Sequence, residues 1–219
     1  RLFDNFDLMV AALGAGAWTT VWVTLVSFAI ALVIGMVLVV MHVSPAWPAR
    51  WAANAYTQLF RNVPLLAVLF ILFFGLPQVG IKADNWVWAL LGLGMYTGAF
   101  VGETLRSGIN SIPLGQAEAA RAIGLTFSQS LRSIILPQSI RVVIPPLGSL
   151  LIALVKNSAL VLAIGVTELT AQARRLIEDN ESRFDLWGVI IGVTVSYLLI
   201  AFVLSYLVRI AEKRTAFVR

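Results

Sequence analysis

The stretch AWTTVWVTLVSFAIALVIGMVLVVM, Ala17 to Met41, contains no Asp, Glu, Lys or Arg. At 1.5 Å per residue a helix of that length exceeds the roughly 30 Å hydrocarbon core of a bilayer. Its apolar residues occupy every helical face, as expected of a segment surrounded by lipid or by other helices. A signal-peptide core is shorter, so the run reads as a retained membrane span.

The rest of the chain follows the same pattern. Its 219 residues are 59% hydrophobic and 12% charged, with a mean hydropathy of +0.89, against about 25% charged residues in soluble domains. Further apolar runs lie at Gln58–Phe74, closed by Gly75, Leu76 and Pro77, at Trp86–Arg106, at Val142–Val166 with Pro145 and Pro146 near its start, and at Leu186–Ile210. The expectation is an all-α integral membrane protein, a single transmembrane domain over residues 1–219 with spans at about 17–41, 58–74, 86–106, 142–166 and 186–210. Five spans place the two termini on opposite sides. The piece RLFDNFDLMV, Arg1 to Val10, sets Leu2, Phe3, Phe6 and Met9 opposite Asp4 and Asp7 and reads as a helix along the membrane surface.

Basic residues in short loops are retained on the cytoplasmic side. With the amino terminus outside, Arg50, Arg61, Arg106, Arg121, Arg132, Arg141, Arg209, Lys213, Arg214 and Arg219 fall inside, and only Arg1, Lys82, Arg174, Arg175 and Arg183 fall outside. The carboxy terminus is then cytoplasmic. The net charge of +5 follows from this asymmetry, and no soluble basic face suited to nucleic acid is formed. Cysteine is absent and His42 is the lone histidine, so neither a disulfide framework nor a Cys/His metal site can be built.

That topology puts residues 107–140 in the largest cytosolic element. Gln116 to Ile123 is rich in alanine and ends at Gly124, which suits the left-handed conformation that stops a helix. Its small side chains let another protein approach closely. A second helical piece, Ser128 to Leu136, presents Leu131, Ile134 and Ile135 on one side and stops before Pro137. The residues alone also allow a helix that packs on the ends of its own spans.

Within the fourth span, Lys156 with Asn157 and Ser158 makes a polar patch, and charge inside a span normally faces a partner or a wet cavity. The patch either lines a substrate route or holds a lysine that snorkels or bridges to an acid. Glu103 stands one turn from Arg106, as a local pair or as a gate residue. Gly94, Gly98 and Gly102 permit close helix contact, within the chain or across a dimer seam. Arg61, Asn62 and Pro64 open the second span as scaffold. Thr167 to Asp185, which includes Glu168, reads as a solvated outer loop where an external protein could dock.

Glu118, Ala119 and Ala120, followed by Gly124, Ile134, Leu136 and Pro137, resemble the EAA, G, I-x-LP signature of ABC importer permease subunits. FRNVPLL (Phe60–Leu66), GETLRSGINSIPLGQ (Gly102–Gln116) and KNSALVLAIGVTEL (Lys156–Leu169) are similar to the polar amino acid uptake branch. The resemblance implies the type I importer permease fold, in a prokaryotic cell membrane, and alternating access. It implies that Glu118, Ala119, Ala120 and Gly124 form a coupling helix docked on a dimer of cytosolic ATPase subunits. It further implies a second permease subunit, identical or not, an external amino acid binding protein, and membrane lipid around the spans.

The chain has no GxxxxGK[ST] phosphate loop, so it is expected to bind no cofactor, with ATP and Mg used by the partner ATPase. It also lacks HExxH or any nucleophile with a base inside a span, which argues against an intramembrane enzyme. Permeases for methionine or a sugar-like solute are the alternatives within this machinery. A secondary transporter is a further one, although no internal repeat is evident. The leaning is toward glutamate or glutamine.

Overall fold

The structure is a computed structural model that describes residues 6–178 and 186–215. Among them every regular element is helical. Helix α1 spans Phe6–Val43, α2 Trp47–Asn62, α3 Leu65–Phe70, α4 Asn85–Asn110, α5 Leu114–Ala122, α6 Phe127–Ser130, α7 Leu136–Asn157, α8 Leu169–Glu178 and α9 Leu186–Thr215. Three helical stretches are long and apolar enough to cross a membrane: Phe6–Val43, Phe127–Ile164 and Leu186–Arg214. The bent pair Trp47–Asn62 and Leu65–Val79 is a candidate fourth.

The centre of the bundle is α1 against α4, the most extensive contact in the chain. Ile30 packs on Gly94, Ile34 on Gly98, and Leu38 on Gly102. Both series ascend together, so the two helices run parallel. A Cβ on Gly94 would lie 2.6 Å from Ile30 Cγ2, and one on Gly98 2.8 Å from Ile34 Cγ2. The glycine stripe therefore serves packing within the subunit, where missing side chains let the helix axes approach.

The other directions follow from similar contacts. Gly108 of α4 meets Val143 of α7, Gly148 of α7 meets Val208 of α9, and Gly192 of α9 meets Leu13 of α1. Thus α7 runs against α1, α4 and α9. One end of the bundle gathers α2, α5 and the carboxy end of α9, and the other gathers α8 and the start of α4.

Several boundaries differ from the sequence expectation. Phe6 to Val10 continues α1 directly, so no separate surface helix exists in that part, and residues 1–5 lie outside the described residues. Gln58 to Asn62 ends α2. Pro64 disfavours helical geometry at Val63, whose φ of −101° and ψ of 133° are extended, and the chain turns by 106° before re-entering helix at Leu65. The second apolar segment continues as a π-helical turn at Ile71–Gly75 and a 3₁₀ turn at Leu76–Val79.

Helix does not stop before Pro137. A π-helical turn at Leu131–Ile135 joins α6 to α7. The Gln138 amide and Ser139 hydroxyl donate to the carbonyls of Ile134 and Ile135 at 2.8 and 2.9 Å, supporting the backbone around the proline. Pro145 and Pro146 consequently sit in the interior of α7, where the Ser149 hydroxyl donates to the Pro145 carbonyl at 3.3 Å. The expected outer loop is helical from Leu169 to Glu178. Its remainder, residues 179–185, lies outside the described residues.

Candidate functional site

The loop between α4 and α7 is built from short, firmly capped helices. Pro113, with φ −57°, precedes α5. At the other end the Leu125 N–H donates to the Ala120 carbonyl at 3.1 Å and the Gly124 N–H to the Arg121 carbonyl at 3.0 Å. This is the Schellman closure, and it sets Gly124 at φ +84°, where a side chain is strained. No atom lies within 4 Å of where a Gly124 Cβ would stand. Glycine is needed there for backbone geometry, with no steric demand.

Directly afterwards Thr126 and Gln129 form a capping box for α6, with the Thr126 N–H donating to Gln129 Oε1 at 2.8 Å and the Gln129 N–H to Thr126 Oγ1 at 3.3 Å. Between the two caps only Gly124 and Leu125 intervene, which leaves the angle between α5 and α6 little freedom.

Of the four residues expected to couple, Glu118, Ala119 and Gly124 are exposed, whereas Ala120 is buried against the chain itself. Around them Leu114, Ile123 and Phe127 are each more than three quarters exposed. Leu114, Ile123 and Phe127 thus give the loop an open apolar surface. Beside it, Gln116, Ser133, Ile134, Pro137, Gln138 and Arg141 line an open cleft of about 420 Å³.

The expected pathway residues do not converge. Glu103 accepts from the Arg106 guanidinium through both oxygens, at 2.5 and 3.1 Å, on the wall of a second cleft shared with Val142, Val143 and Pro146. Lys156 is ten residues past Pro146 on α7, roughly 15 Å farther along the axis. It is exposed, with no ion pair to another described residue. Asn157 is half-buried, and Ser158 is buried with its hydroxyl donating to the Val155 carbonyl at 2.7 Å. There α7 tightens into the 3₁₀ turn Ser158–Ile164, which ends at Gly165 with φ +80°.

One site was absent from the expectation. Glu168 has no exposed surface. Its Oε1 accepts from the Ala171 N–H at 2.9 Å, and its Oε2 from the Thr170 N–H at 2.9 Å and the Tyr197 hydroxyl at 2.7 Å. Thr20 of α1 donates to Oε2 at 3.4 Å and accepts from the Leu169 N–H at 3.2 Å. A carboxylate capping a helix start is favoured by the free N–H groups and the helix dipole. Here the cap also ties α8 to α1 and α9. The only sequence signal is an acid placed just before a helix-forming run.

Three comparisons bear on this arrangement. Residues 31–217 match the model of the family described as binding-protein-dependent transport system inner membrane component. Over 213 residues, 97% of this chain and 95% of the relative, the chain is 38% identical to the probable glutamine ABC transporter permease protein GlnM of Bacillus subtilis. It is 39% identical to the glutamate transport system permease protein GluC of Corynebacterium efficiens over 90% of this chain and 91% of that one. The crystal structure of an amino acid ABC transporter with histidines superposes with a TM-score of 0.89 at 29% identity, covering 97% of this chain and 98% of its counterpart.

Proposed function

Because the chain belongs to the family of binding-protein-dependent transport system inner membrane components, we propose that it is the permease subunit of an ATP-driven importer for a polar amino acid, glutamine or glutamate first. The observation that carries this reading is the α5 loop. It is a short helix with Glu118 and Ala119 outward, locked at Gly124, and flanked by the exposed Leu114, Ile123 and Phe127. Such a surface suits a groove on a separate ATPase, which binds ATP and Mg while this chain supplies none of the phosphate-binding chemistry.

In this reading α1, the α3 segment, α4, α7 and α9 are the five spans, and the amino terminus is outside. Two permease subunits enclose the route and an external binding protein delivers the substrate. Closure of the ATPase pair on the two α5 helices turns the route outward, and hydrolysis resets it. Lys156 and Asn157 are the residues of this chain placed to meet a substrate carboxylate. Glu103, held by Arg106, stands nearer the α5 end of the route.

Glu118→Lys and Gly124→Val test the coupling. Each is expected to lower co-purification with the ATPase and to cut substrate-stimulated ATP hydrolysis in proteoliposomes about tenfold, the factor that 1.4 kcal/mol of lost contact yields. If both activities survive in a folded complex, force does not pass through α5. Uptake of a panel of labelled amino acids by the same proteoliposomes identifies the substrate, and uptake that persists without the ATPase favours a secondary transporter.

A further inference from the structure

Helix α2 has a buried side and an exposed one. Ala53, Thr57 and Phe60 are buried, Tyr56 OH donates to the Met95 carbonyl of α4 at 2.9 Å, and His42 Nε2 of α1 lies 3.0 Å from Asn54 Oδ1. Those contacts hold one side on the bundle. The exposed side carries Trp47, Trp51, Ala55 and Leu59 at four-residue spacing, with Trp47 66% and Trp51 61% exposed. Polar residues share this exposed arc: Arg61 and Asn54 lie toward its edge away from Leu59, and Gln58 and Asn62 lie between the tryptophans and Ala55.

The axis of α2 stands at 106° to the following helical segment, so where that segment crosses a bilayer α2 lies nearly in its plane. Val37, Val40 and Val43 of α1 and Phe70, Ile71 and Phe74 of the α3 segment are exposed as well. Electrostatics selects the headgroup. No Asp or Glu occurs between Asp7 and Asp84. Arg50 already donates to the carbonyls of Ser44 and Pro45, and the nearby acid Glu103 is held by Arg106, which leaves Arg61 exposed.

We propose that α2 is an interfacial helix that binds anionic phospholipid, with Trp47, Trp51 and Leu59 at the headgroup–acyl boundary and Arg61 on the phosphate. Tryptophan prefers that depth, and an arginine near a surface of anionic lipid contributes about 1 kcal/mol. The inference rests on the proposed spans only in naming the leaflet, which is the one on the side of α5. It does not depend on coupling or substrate.

The absence of cysteine makes the test direct. Ala55→Cys and Gln58→Cys are each spin-labelled in the complete transporter, reconstituted in nanodiscs of phosphatidylglycerol or phosphatidylcholine. At position 55 oxygen is expected to collide with the label more often than a water-soluble nickel chelate does. At position 58 the label should sit shallower, and a fluorophore there should be quenched by headgroup-labelled phosphatidylglycerol about fivefold more than by labelled phosphatidylcholine, a preference that R61Q abolishes. A position 55 open to the nickel chelate means water covers α2. One closed to both probes means a protein subunit does. Either result, or equal quenching by the two lipids in the wild type, overturns the proposal.

Discussion

A carboxylate with no exposed surface is tolerable in a protein interior only when its oxygens are satisfied, and Glu168 meets that condition through two backbone N–H groups, a tyrosine and a threonine. Glu168→Ala removes the cap of α8 and strands those donors. The expected cost is about 1–3 kcal/mol, read as a lower Tm of the purified complex together with faster proteolysis of α8. By contrast the Arg174–Glu178 pair is exposed on both sides, at 60% and 59%. Breaking it should shift the Tm little, because open ion pairs contribute a fraction of a kcal/mol. Composition alone treats these acids alike. What separates Glu168 from Glu178 is that Tyr197 and Thr20, far away in the chain, arrive at one of them.

At the scale of elements, contact between α1 and α4 is set by glycine. A Cβ on Gly35 would collide with Val101 Cγ1 and lie 2.9 Å from the Gly102 backbone nitrogen, which cannot move aside as a side chain can. Gly35→Ala is therefore expected to destabilise by about 1–3 kcal/mol, while Gly14→Ala in the same helix, with nothing within 4 Å, should be neutral or mildly stabilising through helix propensity. Thermal unfolding of the two variants side by side checks the contrast. The stripe Gly94, Gly98, Gly102 was legible as a close-contact face, but its partner was not, because spacing says nothing about which helix comes to meet it. Likewise Pro64 and Pro137 are the same residue type in similar apolar text. One accompanies a 106° turn and the other lies inside continuous helix, where the Gln138 and Ser139 side chains donate to the carbonyls of Ile134 and Ile135.

For the whole molecule, the parallel course of α1 and α4 and the reverse course of α7 put α5 and α8 at opposite ends of the bundle. Arg175→Cys and Ser128→Cys, both at exposed positions, should therefore label with opposite sidedness. A membrane-impermeant maleimide applied to intact cells is expected to modify the first, and the second only after permeabilisation. Labelling of both from outside would reverse or refute the proposed orientation.

The apolar runs and the short α5 helix closing at Gly124 could be read from residues alone, because length, hydropathy and left-handed backbone are local properties. So could the family, since its motif is a matter of residue types at fixed spacing. The burial of Glu168 and of Ala120, and the separation of Glu103 from Lys156, could not. Each depends on which distant surfaces meet, and in an apolar chain one oily face pairs as well as another until close packing selects among them.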